Sequence, residues 1–133
     1  VDLGDGSRDD KRVTLSLVTA ALSDGERARE LARRHVAFYV GAMGTFYRDS
    51  LVRQGWDEAA TVHERWQAFE RADATAALPE SLLDELVAAG TPTATEERID
   101  AFGEIEGVDA AAVSFPRDAE REEVYETMRA VAP

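Results

Sequence analysis

Two short stretches constrain this chain more than anything else in it: VTLSLVTAAL at residues 13–22 and AAAVSF at residues 110–115. Both are built of small or β-favouring residues, and neither contains a charge. In the first, Val13, Leu15, Leu17 and Thr19 alternate with Thr14, Ser16 and Val18, so both faces are fit for burial. Strands that are dry on both faces belong to parallel sheets covered by helices. Two such strands cannot form a stable sheet alone, because their outer edges carry unpaired amides and carbonyls. The sheet has to be completed, by a second copy or by the rest of a larger α/β protein.

Between the two strands the sequence reads as helix. Ser23-Asp24-Gly25-Glu26 predicts a capping box, with Ser23 and Glu26 bonding to one another's amides. The helix it opens runs to about Met43. Ala28, Leu31, Ala32, His35, Val36, Tyr39, Val40 and Met43 form its apolar face. From Val36 to Tyr47 there is no charge at all, and Phe38, Tyr39, Phe46 and Tyr47 all lie in that run. In a chain so acidic such a run needs a dry home. Gly41 and Gly44 predict close backbone approach and the end of the helix. A short helix or turn follows over residues 45–54. A third helix is expected from Asp57 to Arg71, a connector over 72–77, and a fourth helix over 80–89 with Pro79 at its first position and Gly90 stopping it. Thr93 and Glu96 predict another capping box, opening a helix to about Ile105. Gly107 ends it, and after the second strand a last helix runs from Asp118 to about Ala130. Residues 1–12 read as a flexible lead-in. Gly4, Gly6 and Asp2, Asp5, Asp9 and Asp10 fit neither a phosphate loop nor a calcium loop.

Composition narrows the partners. Asp and Glu number 27 against 15 Lys and Arg, a net charge of −12, and Lys11 is the only lysine. Phosphate recognition needs positive charge, so nucleic acid and anionic membrane are not expected partners. No run reaches the roughly 20 apolar residues of a membrane span. No signal peptide is read, and a cytoplasmic location is the default. The chain has no cysteine, hence no disulfide or thiolate metal site. Abundant Asp, Glu and Ala with almost no Lys look like a halophilic archaeal protein. At molar salt, screening over about 3 Å relieves a dense carboxylate surface of its self-repulsion.

Sites of chemistry are few. His35 lies on an apolar helix face and reads as a hydrogen-bonded core histidine. His63-Glu64 begins a zinc-protease motif, but Gln67 stands where the second ligand belongs, so His63 reads as solvated surface and no metal site is expected. No serine sits in a Gly-x-Ser-x-Gly elbow. Tyr47 and Arg48 with Arg53 form the one polar cluster on the apolar run. Arginine forks suit phosphate or carboxylate ligands; the favoured reading is an ion pair with Asp49 or another acid.

The segments AFYVGAMGTFYRDSLVRQGW at residues 37–56, LPESLLDELVAAGTPTATEERI at 78–99 and EGVDAAAVSFP at 106–116 occur in an order that resembles the C-terminal part of the luciferase-like monooxygenase family, in particular its deazaflavin-dependent branch. The resemblance covers nearly all of the chain from Val13. It implies an α/β fold in which residues 13–133 are the C-terminal segment of a (β/α)8 barrel. The two parallel-type strands would be the last two of that barrel, with residues 57–89 as helices added between them. It implies a parent that transfers hydride between a deazaflavin coenzyme (8-hydroxy-5-deazaflavin), or FMN in sister branches, and a small organic substrate. It carries no catalytic residue onto this chain, because the family holds its cofactor mainly with earlier strands. This segment is therefore expected to bind no cofactor and to be inactive by itself. Its partners would be the rest of the barrel or a second copy, and Tyr47 and Arg48 would face the substrate. The contrasting expectation is a stand-alone acidic helical interaction or dimerisation module without catalysis.

Overall fold

The computed structural model describes residues 10–133, so most of the lead-in, with Gly4, Gly6, Asp2, Asp5 and Asp9, lies outside the described residues. β1 (Thr14–Ala21) is the middle strand of a three-stranded parallel sheet. β3 (Ala110–Ser114) pairs with its first half, Thr14 opposite Ala110 through Val18 opposite Ser114. β2 (Val87–Gly90) pairs with its second half, Val18 opposite Val87 through Ala21 opposite Gly90.

The third strand corrects the expectation of two. Residues 80–89 do not form one helix: α5 (Glu80–Leu86) stops at Leu86 and the chain turns extended. Val87, Ala88, Ala89 and Gly90 are an uncharged apolar run too short to show a period of its own. The open edge of β1 decides its conformation. Pairing there satisfies the ladder of β1, and the ladder continues as the Leu22 amide donates to the Gly90 carbonyl at 3.1 Å.

From β1 the chain passes to one edge of the sheet and then to the other. Right-handed crossovers in opposite directions lay their helices on opposite faces. α1 (Gly25–Ala42) takes one face: Ala20, Leu22, Val87 and Ala89 join its Leu31, Val36 and Val40 in a single apolar cluster. Leu17, Thr19, Ala21 and Ala88 hold the alternate positions and are buried outside that cluster. There α6 (Pro92–Gly103) and α7 (Arg121–Val131) pack on the sheet. Consecutive barrel strands lie side by side with helices on one face only. Here β1 separates β2 from β3, and both faces carry helices.

α2 (Phe46–Arg53), α3 (Glu58–Gln67), α4 (Arg71–Ala76) and α5 surround α1 on its far side. The helix expected from Asp57 to Arg71 ends four residues early. Phe69 adopts φ 64°, which breaks it, and part of the expected connector becomes α4. Gly41 shows why the apolar run is where it is. A methyl group there would sit 2.3 Å from Trp66 Cγ, so only glycine lets α3 lie against α1 at this point. Gln67 Nε2 donates to the Gly41 carbonyl at 2.8 Å, and the His63 ring bonds the Val40 carbonyl through Nδ1 at 3.1 Å. His63 is thus a clasp between two helices and not solvated surface.

The helix starts also differ from expectation. Asp24, not Ser23, caps α1, accepting from the Arg27 amide at 3.1 Å. Ser23 is engaged by Glu126 of α7, through its amide at 2.7 Å and its hydroxyl at 2.6 Å. Pro79 precedes α5 as its cap residue. α6 starts at Pro92 with Thr91 as its cap, so the Thr93–Glu96 box does not form. A true capping box stands on α7, between Glu120 and Glu123. Glu123 does double duty, accepting from Arg27 Nε at 2.8 Å and so tying α7 to α1.

Candidate functional site

The second half of α1 and the whole of α2 diverge over the β1–β3 pair, and a cleft of about 680 Å³ opens between them. α1 lines it with His35, Val36, Tyr39 and Val40, positions one turn apart on a single face. α2 contributes Phe46, Tyr47, Ser50 and Leu51 by the same periodicity, and Gln54, its C-terminal cap residue, follows them. The floor is the sheet: Ser16 and Val18 of β1, Val87 of β2 and Ser114 of β3, followed by Phe115. In a parallel sheet, residues in register share a face, so Val18, Val87 and Ser114 meet because they are partners.

None of the lining side chains is Asp, Glu, Lys or Arg, although 32% of the chain is charged. Aromatic rings make up one wall. His35 stacks on Tyr39 with centroids 4.8 Å apart, and Tyr47 meets Tyr39 edge-on at 5.5 Å. His35 Nδ1 accepts from the Arg117 amide at 3.0 Å, so the neutral ring carries its hydrogen on Nε2. Burial is the main cause holding this ring below the ordinary histidine range. The Arg117 charge adds to that, and Asp118 opposes it.

Of the three residues singled out from the sequence, Tyr47 lines the cleft, while Arg48 and Arg53 do not. Arg48 pairs with its neighbour Asp49, Nε to Oδ1 at 2.8 Å. That hydrogen bond holds the Asp49 carboxyl below its usual range. Arg53 is exposed at the end of α2. Ser16 and Ser114 were not found by sequence reasoning, although a signal existed: each is a small polar residue in a strand otherwise fit for burial. A second hollow of about 440 Å³ lies among Glu30, Arg34, Arg71, Arg117 and Asp118. Its charges are partly spent on one another, as in the Arg34–Asp118 pair at 3.1 Å.

These elements define an α/β protein of parallel-sheet type with an uncharged aromatic cleft against its sheet. The chain matches the luciferase-like monooxygenase family over residues 4–109 and belongs to that family. The match takes in β1, β2 and α1 to α6, and stops short of β3 and α7. No curated protein matches the chain. The family is one of oxidoreductases whose members typically use flavin cofactors.

Neither the cleft nor the hollow where α1 and α6 begin fits a phosphorylated flavin. Its phosphate would need cations or free amides, and the cleft supplies no cation. A shallow hollow where α1 and α6 begin offers Gly25, Gly90 and Thr91, but Asp24 and Glu26 line it too. Its one cation, Arg29, is already held by Glu80 and by Asp84. Among the described residues there is no group of three or more His, Asp or Glu able to hold a metal ion. No helix among them is long and apolar enough to cross a membrane.

Proposed function

We propose that this chain is the C-terminal portion of a flavin- or deazaflavin-dependent oxidoreductase that transfers hydride to or from a small organic substrate, and that it is inactive alone. The family match carries this reading. The parallel α/β architecture and the misfit of a phosphorylated cofactor to the cleft and to the hollow where α1 and α6 begin support it. In the parent, β1, β2 and β3 would be neighbours in a (β/α)8 barrel in chain order. β3 would then leave β1 for the outer edge of β2, and an earlier strand would take its place. The parent would work in the cytoplasm, the default location, of a halophilic organism; the halophilic part of this reading rests on the net charge of −12 and the single lysine.

Titration with FMN and with the deazaflavin coenzyme, followed by cofactor fluorescence, tests the proposal. The chain alone should give no saturable change at micromolar concentration. Fused behind the earlier strands of a barrel of this family, it should restore binding. Tight binding by the chain alone, or a folded fusion that binds neither cofactor, would sink the reading.

One observation favours a second reading, an interaction module that self-associates. Among the described residues no strand pairs with the outer edge of β3, and Met43, Phe46 and Phe69 are exposed, Phe46 at 70% and Phe69 at 84%.

A further inference from the structure

The reversal of strand order has a chemical consequence. Because α6 crosses on the other face, the β1–β3 pair has no helix of its own on the α1 side, and the space left there is the cleft. At about 680 Å³ it is within the size range of small-molecule sites, and it is apolar with a few polar groups. It has three further properties that select a ligand. No ionised side chain lines it, so a charged guest would lose its water and gain no counter-charge. Its wall of His35, Tyr39 and Tyr47 offers ring faces and edges, which favour a flat π-system. Its hydrogen-bonding groups, Ser16 and Ser114 on the floor with Gln54 opposite, are neutral and sit at separate points of the lining.

We propose that this cleft is a binding site for an uncharged, planar aromatic molecule, held between the α1–α2 rings and the β1–β3 floor. The site belongs to the three-layer sheet of this chain, in which β3 lies beside β1; it does not rest on the oxidoreductase reading and would be lost in the barrel order proposed for the parent. It needs no phosphate group and none of the residues that a phosphorylated cofactor would require.

The probe is prodan, an uncharged naphthalene fluorophore whose emission shifts to the blue in a dry site. Added to the chain it should give a saturable one-to-one shift. Ser16→Trp places a ring on the cleft floor from an exposed strand position, and Tyr47→Ala removes part of the exposed rim. Each should weaken binding about tenfold or more, with circular dichroism unchanged. Phe69→Asn alters an exposed ring outside the cleft and should leave binding as it was. Anilinonaphthalene sulfonate, of similar ring size but anionic, should bind at least about tenfold more weakly than prodan. No saturable shift, a shift that survives Ser16→Trp in folded protein, or equal binding of the anionic dye would overturn the proposal. So would prodan binding that fades as protein concentration rises while sedimentation shows dimers, which would give the cleft to a second copy. FMN plays no part in this assay, so its outcome and that of the cofactor titration fail separately.

Discussion

At the scale of single residues, two positions carry testable weight. Gly41 is fixed by contact, since a methyl there would also fall 2.5 Å from Trp66 Cβ. Gly41→Ala forces α3 off α1 and should cost about 1–3 kcal/mol, the usual range for overpacking. Urea unfolding should show it as a lowered midpoint at an unchanged slope. His35 carries a pH dependence whose sign follows from burial. Its folded ring is held below the ordinary range, whereas the unfolded ring titrates at about 6.5. Between those values the unfolded chain binds the extra proton, so stability falls as pH falls. Urea midpoints at pH 7 and at about pH 5.5 should differ in the native chain, and differ less in His35→Gln. At more acid pH a separate loss follows in both, as the depressed Glu123 and Glu126 carboxyls are protonated.

At the scale of elements, the side of β1 that faces β3 is satisfied by two unlike means. β3 covers β1 only as far as Val18. Beyond that the Ala21 amide is met by α7, donating to Thr127 Oγ1 at 3.1 Å in a buried position. Thr127→Val keeps the shape and strands that amide, which should cost about 1–3 kcal/mol. Thermal unfolding of the variant and of Thr127→Ser, which keeps the oxygen, checks the cause. The same elements show what the sequence could reveal. β1 and β3 were legible because an uncharged run stands out in a chain this acidic. β2 was not, because Val87, Ala88 and Ala89 continue the apolar stripe of α5 and only the waiting edge of β1 distinguishes strand from helix. The cleft was half legible. Tyr39 and Tyr47 stood out in the aromatic run, whereas Ser16 and Ser114 become neighbours only through register across nearly the whole chain. Arg48 pairs with the adjacent Asp49, a pairing that the sequence itself offers beside the ligand reading.

At the scale of the molecule, the dominant force on the surface is repulsion. The net charge of −12 is spread over one small domain. Raising potassium chloride from about 0.1 M to about 1 M shortens screening from about 10 Å to about 3 Å. The urea midpoint should rise with it; a midpoint that is flat or falls would remove the halophilic reading. Sedimentation in the same buffers weighs the two functional readings. Self-association through the open edge of β3 should strengthen as screening removes repulsion, while a wholly monomeric chain at both salts would count against an interaction module.

The central position of β1 has a consequence for how the protein is made. Its two neighbours are both encoded after it. The Val13 amide and the Asp109 carboxylate that closes on it, 2.6 Å apart when folded, are separated by 96 positions in the chain. β1 therefore leaves the ribosome before β2 and β3, the two strands that flank it here. Contacts so distant in sequence make for slow folding. A message cut short before Ala110 would release a product prone to aggregate through the edge of β1 that β3 normally covers.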